Sequence, residues 1–398
     1  MNRLHWRTFL FCLVTSLYWF SLYAFVPTLP GYAHSLGASH GMVGLILGSY
    51  GFTQMLLRIP LGILSDTINR RKPFVVAGLV LAVVSALGMR LFPSPGSLLA
   101  FRALTGAAAA TWVAYAVLFS SYFPPQDAPR AIGYISAFNA VGQMTAMMAG
   151  GAAAHHFGRA APFTVAMAGG VIGLLLCAGV REKRMERNPL RLSEFAAVGK
   201  DAGLLLVSSL AVLLQLITFA TVYGFTPVAA ENIGAGDFEL GLLTTLSTLP
   251  RIPAAALSGA VFSRHFGDRR TITWAFAVLA SSCAVIPLVR TLPLLYVTQV
   301  LGGFAGGVIF PLLMGLSIKT VPEHKRATTM GFFQAIYGVG MFVGPVFVGY
   351  VSEVFSLAWG FWAVGLVGAA GVILASCLWG RCLLESGNSL SGTAPARR

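Results

Sequence analysis

The sequence predicts an all-α integral membrane protein with twelve transmembrane helices in two six-helix bundles. Of the 398 residues, 56% are hydrophobic and only 10% are charged, whereas a soluble domain carries roughly 25% charged residues. The apolar residues form long uncharged runs, for example 8–57, 202–230 and 327–352. In addition, the two halves of the chain share a spacing of glycines. Together these features predict the fold class.

Uncharged runs of this length are expected to be helical. About 20 apolar helical residues cross the ~30 Å hydrocarbon core, and lipid offers no water to an unpaired backbone group. Strands of a membrane barrel would instead alternate over about 10 residues. Proline, glycine and charge clusters divide the runs into spans near 8–28, 41–62, 74–92, 98–121, 131–154, 161–180, 203–223, 239–262, 272–290, 294–317, 328–350 and 358–380.

The basic residues predict the orientation in the membrane. Lys and Arg are retained on the cytoplasmic side, and a cytoplasmic N-terminus places most of the 27 basic residues in cytoplasmic segments such as 70–72. Only Arg90, Arg159 and Arg290 fall at the opposite edge. We therefore expect both termini in the cytoplasm and the protein in the plasma (inner) membrane. Membrane topology and contact with bilayer lipid explain the net charge of +14, so no nucleic-acid partner is expected.

A polar stretch at 181–200 divides the chain. It contains six basic residues and is predicted to be a cytoplasmic central loop between two bundles. The expected domains are a first six-helix bundle at 1–180, this loop at 181–200, a second six-helix bundle at 201–381 and a cytoplasmic tail at 382–398.

A repeated glycine spacing supports the division. Three glycines recur 197 residues later and three others recur 198 residues later. The pairs are Gly44 and Gly241, Gly62 and Gly259, Gly106 and Gly303, Gly133 and Gly331, Gly142 and Gly340, and Gly151 and Gly349. Six predicted helices separate the copies, so both halves have the same orientation. This is a parallel repeat, a design that places a substrate site near the midplane between the halves.

The loop after the second predicted helix carries a motif. Gly62 is followed by Asp66, Arg70 and Arg71, and the corresponding second-half loop keeps the glycine and the basic residues. Gly62 permits close approach of helices. Asp66 lies at a helix end beside cations, where it can dock on a helix N-terminus or an arginine. With Arg58 one turn earlier, these five residues are expected to form a conformational latch. The alternative is that the basic residues only fix the orientation of the helices in the membrane.

Two further patterns complete a resemblance. Helix four carries Arg102 four residues before Gly106, and helix eleven carries Gly340, Gly344 and Pro345. Together with the loop motif, these patterns resemble those of the major facilitator superfamily and its drug-exporter-like branch. The resemblance implies a secondary transporter that works by alternating access. The Gly-x-x-x-Gly-Pro element stands here on helix eleven, whereas exporters of that branch carry it on helix five.

Three arginines, Arg58, Arg102 and Arg251, fall inside predicted spans, where an ionisable group indicates function. Arg58 and Arg102 lie near span ends, so snorkelling to the interface is the alternative for them. The sequence places no Asp or Glu in the middle of a span. Unpaired guanidinium groups bind carboxylates and phosphates through charge-assisted hydrogen bonds, which favours a substrate with an anionic group.

Polar and aromatic side chains on the predicted spans complete the candidate substrate site. Packing, or hydrogen bonding between helices, is the alternative role for each of them. With Arg102 and Arg251, the candidates are Tyr23, Gln54, Tyr115, Asn139, Gln143, Gln215, Gln299, Gln334 and Tyr337.

The leading hypothesis is secondary active transport of a small or amphipathic organic solute with an anionic or zwitterionic group, in the export direction. The alternative is a proton-coupled multidrug efflux antiporter for lipophilic compounds, with Asp66 or a proton carried by the substrate serving the coupling. The expected partners are a small-molecule substrate, protons in the second hypothesis, and the lipid bilayer. The five cysteines lack metal-like spacing, so we expect no metal site. The sequence offers no nucleophile–base pair, so we expect no enzymatic activity. No cofactor is expected, and the protein is expected to be a monomer.

Overall fold

The computed structural model describes residues 3–124, 127–182, 201–319, 321 and 326–377. Within these ranges the chain is helical, with turns and no strand. Nine of the described helical segments are long and apolar enough to cross a membrane. The all-helical prediction is therefore confirmed. Residues 183–200 and 378–398, which contain most of the predicted central loop and the whole predicted tail, lie outside the described residues.

The helices follow one another closely along the chain. Those of residues 3–182 (the first half) are α1 Arg3–Tyr23, α2 Leu29–Ser35, α3 His40–Ile68, α4 Lys72–Leu91, α5 Pro95–Ala110, α6 Trp112–Ser120, α7 Ala128–Phe157 and α8 Ala161–Cys177. Those of residues 201–377 (the second half) are α9 Ala202–Ala220, α10 Thr226–Asn232, α11 Asp237–Thr248, α12 Arg251–Leu257, α13 Arg264–Phe266, α14 Asp268–Val285, α15 Leu292–Lys319, α16 Arg326–Val354 and α17 Leu357–Cys377.

The first predicted span is wrong at its end. A single helix was expected over 8–28, but α1 ends at Tyr23 and a turn leads into the short helix α2. Pro27 and Pro30 explain the break, because a proline has no N–H to donate and disfavours helical geometry in the residue before it. The equivalent place in the second half is also irregular, since a π-helix at Thr221–Phe225 joins α9 to α10.

Two helix pairs make most of the contact between the halves. Helix α3 of the first half packs along α16 of the second, and α7 of the first half packs along α11 of the second. Within the halves, α5 packs on α3 and α15 packs on α11 and α12. These crossings place residues from the middle of α1, α3 and α5 opposite residues of α9 and α12.

Glycines from the repeated spacing lie at these crossings. A Cβ atom added to Gly151 would lie 2.9 Å from the Cα of Gly241, and one added to Gly349 would lie 2.9 Å from the Cα of Gly44. Real Cβ atoms essentially never approach this closely, so only glycine permits both contacts. Each contact joins one half to the other. The glycine spacing read from the sequence therefore corresponds to two similar backbone contacts between the halves.

Glycines with the same spacing also make close contacts inside the halves. A Cβ atom on Gly106 would overlap the backbone of Tyr50, and one on Gly303 would overlap the backbone of Ser247. Tyr50 and Ser247 are themselves 197 positions apart. The same type of helix approach thus occurs at equivalent positions of the two halves.

Candidate functional site

A chain of arginine and aromatic side chains connects the two halves near the middle of the helices. Arg102 of α5 lies over the ring of Tyr50, with 4.5 Å from its Cζ atom to the ring centroid. Tyr50 stacks on Phe219 at 5.9 Å, Phe219 contacts Tyr223 at 5.2 Å, and Arg251 lies 5.8 Å from the Tyr223 ring. We call these five residues the central chain. It crosses from one half to the other between Tyr50 and Phe219.

Arg102 is the most deeply buried of the three predicted arginines. Its exposed fraction is 2%, which excludes snorkelling in this conformation. Its Nε and Nη1 atoms have no hydrogen-bond partner, and among the described residues it forms no ion pair. The rings of Tyr50 and Phe25 attract the guanidinium through cation–π contacts. They do not neutralise its charge, so the site has an unsatisfied preference for an anion.

Close helix packing explains why Arg102 is buried. Gly106, one turn further along α5, contacts the backbone of Tyr50, so α5 and α3 approach closely. Thr53 Oγ1 donates a 2.7 Å hydrogen bond to the Ala103 carbonyl, which joins the same two helices. The Arg-x-x-x-Gly pattern therefore positions the guanidinium beside Tyr50 and away from the lipid.

Arg251 approaches the central chain from the second half. It is half-buried, and its Nε atom has no hydrogen-bond partner. Pro250 and Pro253 flank it where α11 gives way to α12, as expected where proline removes a helical hydrogen bond. Tyr223 thus has Arg251 on one side and Tyr23, at 5.6 Å between ring centroids, on another.

Arg58 and Tyr337 form a direct link between the halves. Arg58 Nη1 donates a 3.0 Å hydrogen bond to the Tyr337 hydroxyl. Arg58 has an exposed fraction of 6%, so it too does not snorkel in this conformation. The sequence assigned Arg58 to the latch and Tyr337 to the substrate site, but the structure brings the two residues together.

An aromatic cluster borders the central chain within the first half. Trp19 contacts Tyr23 at 5.7 Å and Trp112 at 5.4 Å between ring centroids. The Nε1 atom of Trp19 is buried and has no hydrogen-bond partner. Tyr115 stacks on Tyr18 at 4.4 Å and donates to a backbone carbonyl of α4. Tyr115 is fully buried by this packing, whereas Trp19 retains an unused donor.

The predicted amide side chains differ in their surroundings. Gln54 is buried, and its Oε1 atom has no hydrogen-bond partner. Asn139 and Gln143 lie one turn apart on α7, and Gln143 Nε2 donates a 2.5 Å hydrogen bond to Asn139 Oδ1. Gln299 is buried and donates to Thr298. Gln215 and Gln334 are half-buried on α9 and α16.

Carboxylates close the end of the bundle that carries Ser39, Glu231, Asp237 and Glu353, which we call the Glu353 end. Arg159 of the first half pairs with Glu231 at 2.8 Å and with Asp237 at 3.3 Å. Glu353 accepts hydrogen bonds from Ser39 Oγ at 2.8 Å and from Gly41 N at 2.6 Å. It thereby caps the N-terminus of α3 from the other half. Each of the two glycine contacts between the halves thus has a polar contact between the halves at the same end of the bundle: Glu353 with Ser39 and Gly41, and Arg159 with Glu231 and Asp237.

The opposite end, which carries Asp66, Arg71, Asp268 and Lys319, is the Asp66 end. Asp66 and Arg71 form an ion pair within their own loop, and Arg70 lies beside Glu182 in a surface groove. Gly62 is not in a close helix contact, since the nearest atom to a Cβ there is in Val113 at 3.9 Å. Added Cβ atoms on Gly133, Gly259 and Gly315 would meet no described atom within 4 Å. The glycine pairs that join the halves therefore lie towards the Glu353 end, whereas Gly133, Gly259 and Gly315 towards the Asp66 end have no such contact.

Sequence reasoning missed several residues of this region. Tyr223 and Phe219 of the central chain were not singled out, because one aromatic residue in an apolar run looks like packing. The charged residues of the Glu353 end were seen only as markers of a membrane edge. The available signal was their position, since Asp237 and Glu353 stand four residues from Gly241 and Gly349 respectively.

Comparison with known proteins identifies the family. The model of the Major Facilitator Superfamily matches residues 11–228 and again residues 208–389. An uncharacterised MFS-type transporter of Methanocaldococcus jannaschii is 22% identical over 378 residues, which cover 90% of this chain and 94% of that protein. The class C tetracycline resistance protein of Escherichia coli is 26% identical over 357 residues, which cover 85% of this chain and 88% of that protein.

The fold agrees with solved structures. A bacterial homolog to the human lysosomal transporter Spinster, in an inward-facing and occupied conformation, matches with a TM-score of 0.80 and 16% identity. The match covers 98% of this chain and 99% of that one, and at this identity it concerns the fold alone. Apolar helical segments, the matched family model and the shared architecture agree, and the chain belongs to the Major Facilitator Superfamily as a multi-pass membrane transporter.

Proposed function

We propose that this protein is a secondary active transporter that exports a small or amphipathic organic anion or zwitterion by alternating access. In this proposal twelve transmembrane helices form two parallel-repeat bundles at 1–180 and 201–381, joined by a cytoplasmic loop at 181–200 and followed by a tail at 382–398. Both termini lie in the cytoplasm, the membrane is the plasma (inner) membrane, and the Asp66 end faces the cytoplasm. The protein acts as a monomer.

The unequal closure of the two ends supports alternating access. At the Glu353 end, backbone contacts at Gly44 and Gly151 hold the halves together, whereas Gly133 and Gly259 at the Asp66 end are uncovered. Rocking of one half against the other would open the first set of contacts and close the second. In this interpretation Gly62, Asp66, Arg70, Arg71 and Arg58 belong to the latch that operates at the Asp66 end.

Arg102 is the single observation that supports an anionic substrate most strongly. Burying a cation without a partner is costly, and the described part of the chain provides no carboxylate for it. A substrate carboxylate or phosphate would supply the missing charge through charge-assisted hydrogen bonds to Nε and Nη1. Arg251, the second arginine of the predicted substrate site, is linked to Arg102 through the rings of the central chain.

Two unused polar atoms near Arg102 specify more of the substrate. The Nε1 atom of Trp19 is a donor without an acceptor, and Oε1 of Gln54 is an acceptor without a donor. Substrates that satisfy both carry a hydrogen-bond donor as well as further acceptors. The rings of Tyr23, Tyr50 and Trp19 favour an apolar or planar body next to these groups. Asn139, Gln143, Gln215, Gln299, Gln334, Tyr115 and Tyr337 remain predicted neighbours of the substrate or of the helices that enclose it.

A thermal-shift screen of the detergent-purified protein tests the proposal. The probes are 4-hydroxybenzoate, its neutral amide and tetraphenylphosphonium, all at one chloride concentration. A ligand at 100 times its Kd stabilises the native state by about 2.7 kcal/mol. We expect the carboxylate alone to raise the Tm, and Arg102→Gln to abolish this rise. Arg290→Gln is the matched control, because Arg290 is exposed at a helix end. Stabilisation by the phosphonium alone, unchanged in Arg102→Gln, would contradict the anionic-substrate proposal.

The second candidate function is proton-coupled efflux of lipophilic compounds. The likeness to a tetracycline resistance protein over 85% of the chain favours it, and the same likeness supports export as the direction. Among the described residues Asp66 is the carboxylate that the sequence motif offers for coupling, although here it is paired with Arg71. An Asp66 variant, described in the Discussion, separates the two candidates.

A further inference from the structure

A narrow cavity lies inside the second half, and Arg102 is not among the residues that line it. It is enclosed by α9, the π-helix after it, α12, α14 and α15. Its volume is about 10 Å³, which is room for a single water-sized occupant. An organic carboxylate is too large for it. The cavity therefore differs in size from any site that could hold the proposed substrate.

Positive charge distinguishes this cavity. Arg251 lines it, and its Nε atom is buried without a hydrogen-bond partner. Its guanidinium contacts the Tyr223 ring and forms no ion pair with a described residue. The side chain is half-buried, but its Nε atom is shielded from water, so a nearby anion would accept a hydrogen bond from that atom and offset the positive charge. A water molecule in the cavity would accept a hydrogen bond but would leave the charge uncompensated.

The hydroxyl groups around the cavity supply further donors. Thr218 and Ser282 have exposed fractions of 5% and 8% and line the cavity, and neither side-chain hydroxyl forms a hydrogen bond with another described residue. Thr221 and Thr298 also line it, but their hydroxyls already donate to backbone carbonyls at 2.7 Å. Two hydroxyl donors are therefore free to point at an occupant.

The Gln299 amide completes the donor set. Gln299 has an exposed fraction of 5%, and its Nε2 donates one long hydrogen bond of 3.3 Å to Thr298. An amide nitrogen has two hydrogens, so one remains. The cavity thus combines one cation with several N–H and O–H donors and, in the described structure, no carboxylate.

We propose that Arg251, Thr218, Ser282 and Gln299 bind a single halide ion, with chloride as the physiological occupant. A single halide ion is among the anions nearest in size to this cavity, although it is larger than water, and it would match the positive charge and the excess of donors, whereas a cation is repelled by Arg251. The site is separate from the Arg102 centre, so it does not depend on the identity of the organic substrate. A bound halide would compensate Arg251 while the organic anion compensates Arg102.

Halide titration of the purified full-length protein tests the site. The Tm is measured in sodium chloride, sodium bromide and sodium gluconate at constant ionic strength. We expect chloride and bromide to raise the Tm in a saturable manner relative to gluconate. Arg251→Gln should weaken the apparent halide affinity roughly tenfold or more, because a charge-assisted hydrogen bond is lost. Equal Tm values in chloride and gluconate would overturn the proposal and leave the cavity to water.

Two further variants keep the test independent of folding and of the substrate site. Thr218→Val with Ser282→Ala removes both free hydroxyls but keeps the charge, and should also weaken halide binding. Arg102→Gln should keep the full halide effect while losing the response to organic anions. A halide response that survives Arg251→Gln unchanged, or one that disappears in Arg102→Gln, contradicts a separate site at Arg251.

Discussion

Arg58 of α3 and Tyr337 of α16 are joined by a 3.0 Å hydrogen bond between two buried side chains from opposite halves. The Tyr337 ring also lies 5.9 Å from the Arg58 guanidinium carbon. A cation on one half thus has its polar partner on the other. Relative movement of the halves along this helix pair changes the environment of Arg58 directly.

Tyr337→Phe removes the acceptor and keeps the ring. We expect it to destabilise this conformation by about 1–3 kcal/mol, because a buried donor of Arg58 loses its partner. The measurement is the Tm of purified protein, with Tyr350→Phe as control because Tyr350 is 67% exposed. An unchanged Tm in Tyr337→Phe would show that the bond does not stabilise this state.

Gly349→Ala should shift the protein towards opening at the Glu353 end. The new Cβ would lie 2.9 Å from the Cα of Gly44, and overpacking of this kind costs roughly 1–3 kcal/mol. The distance between spin labels at the exposed positions 35 and 355, one in each half, reports the change. Gly315→Ala is the control, because its Cβ meets no described atom within 4 Å. An unchanged distance in Gly349→Ala, or an equal lengthening in the Gly315→Ala control, would contradict this role.

Arg159→Ala should open the same end to a smaller extent. Arg159 joins Glu231 and Asp237 across the halves, but its side chain is 38% exposed. Partly exposed ion pairs contribute only about 0.2–1 kcal/mol, and salt screens them. The distance between the same two spin labels should therefore increase modestly in Arg159→Ala. Salt at about 1 M, which screens exposed ion pairs almost completely, should produce a similar increase in the unmodified protein. No response to either treatment would assign closure to the glycine contacts alone.

Asp66→Asn distinguishes the two candidate functions. The substitution removes the ion pair with Arg71, so we expect slower transport into or out of liposomes. In the leading proposal Asp66 carries no coupling proton, so the effect of a pH gradient on transport is the same in Asp66→Asn as in the unmodified protein, and the Tm response to organic anions is unchanged. Complete loss of the pH-gradient dependence, with binding intact, would favour proton-coupled multidrug efflux.

Much of the fold could be predicted because a run of about 20 uncharged, apolar residues indicates a membrane helix. The start of α3 at His40 and the start of α17 at Leu357 lie within one residue of the expected boundaries near 41 and 358. Errors occur where a local backbone effect interrupts an apolar run. The break after Tyr23 arises from prolines in a segment that is as hydrophobic as the helix before it.

The site was only partly predictable. An arginine inside a long apolar run is rare and indicates function, so Arg102 and Arg251 could be selected from the sequence alone. Their partners could not, because the contacts of Tyr50 with Phe219 and of Arg58 with Tyr337 join residues far apart in the chain. The free hydroxyls of Thr218 and Ser282 were also hidden, since Ser and Thr usually bond to their own helix backbone.

The unpaired guanidinium of Arg102 also has an electrical consequence. A charge held at a centre that opens alternately to the two sides of a membrane experiences the transmembrane voltage, which is worth about 2.3 kcal/mol per charge at 100 mV. An empty transporter would carry this positive charge through its conformational change, whereas one loaded with a monoanion at Arg102 would carry a neutral pair. Voltage would then act on the return of the empty protein, and membrane potential would set the turnover rate even if the loaded step were electrically silent.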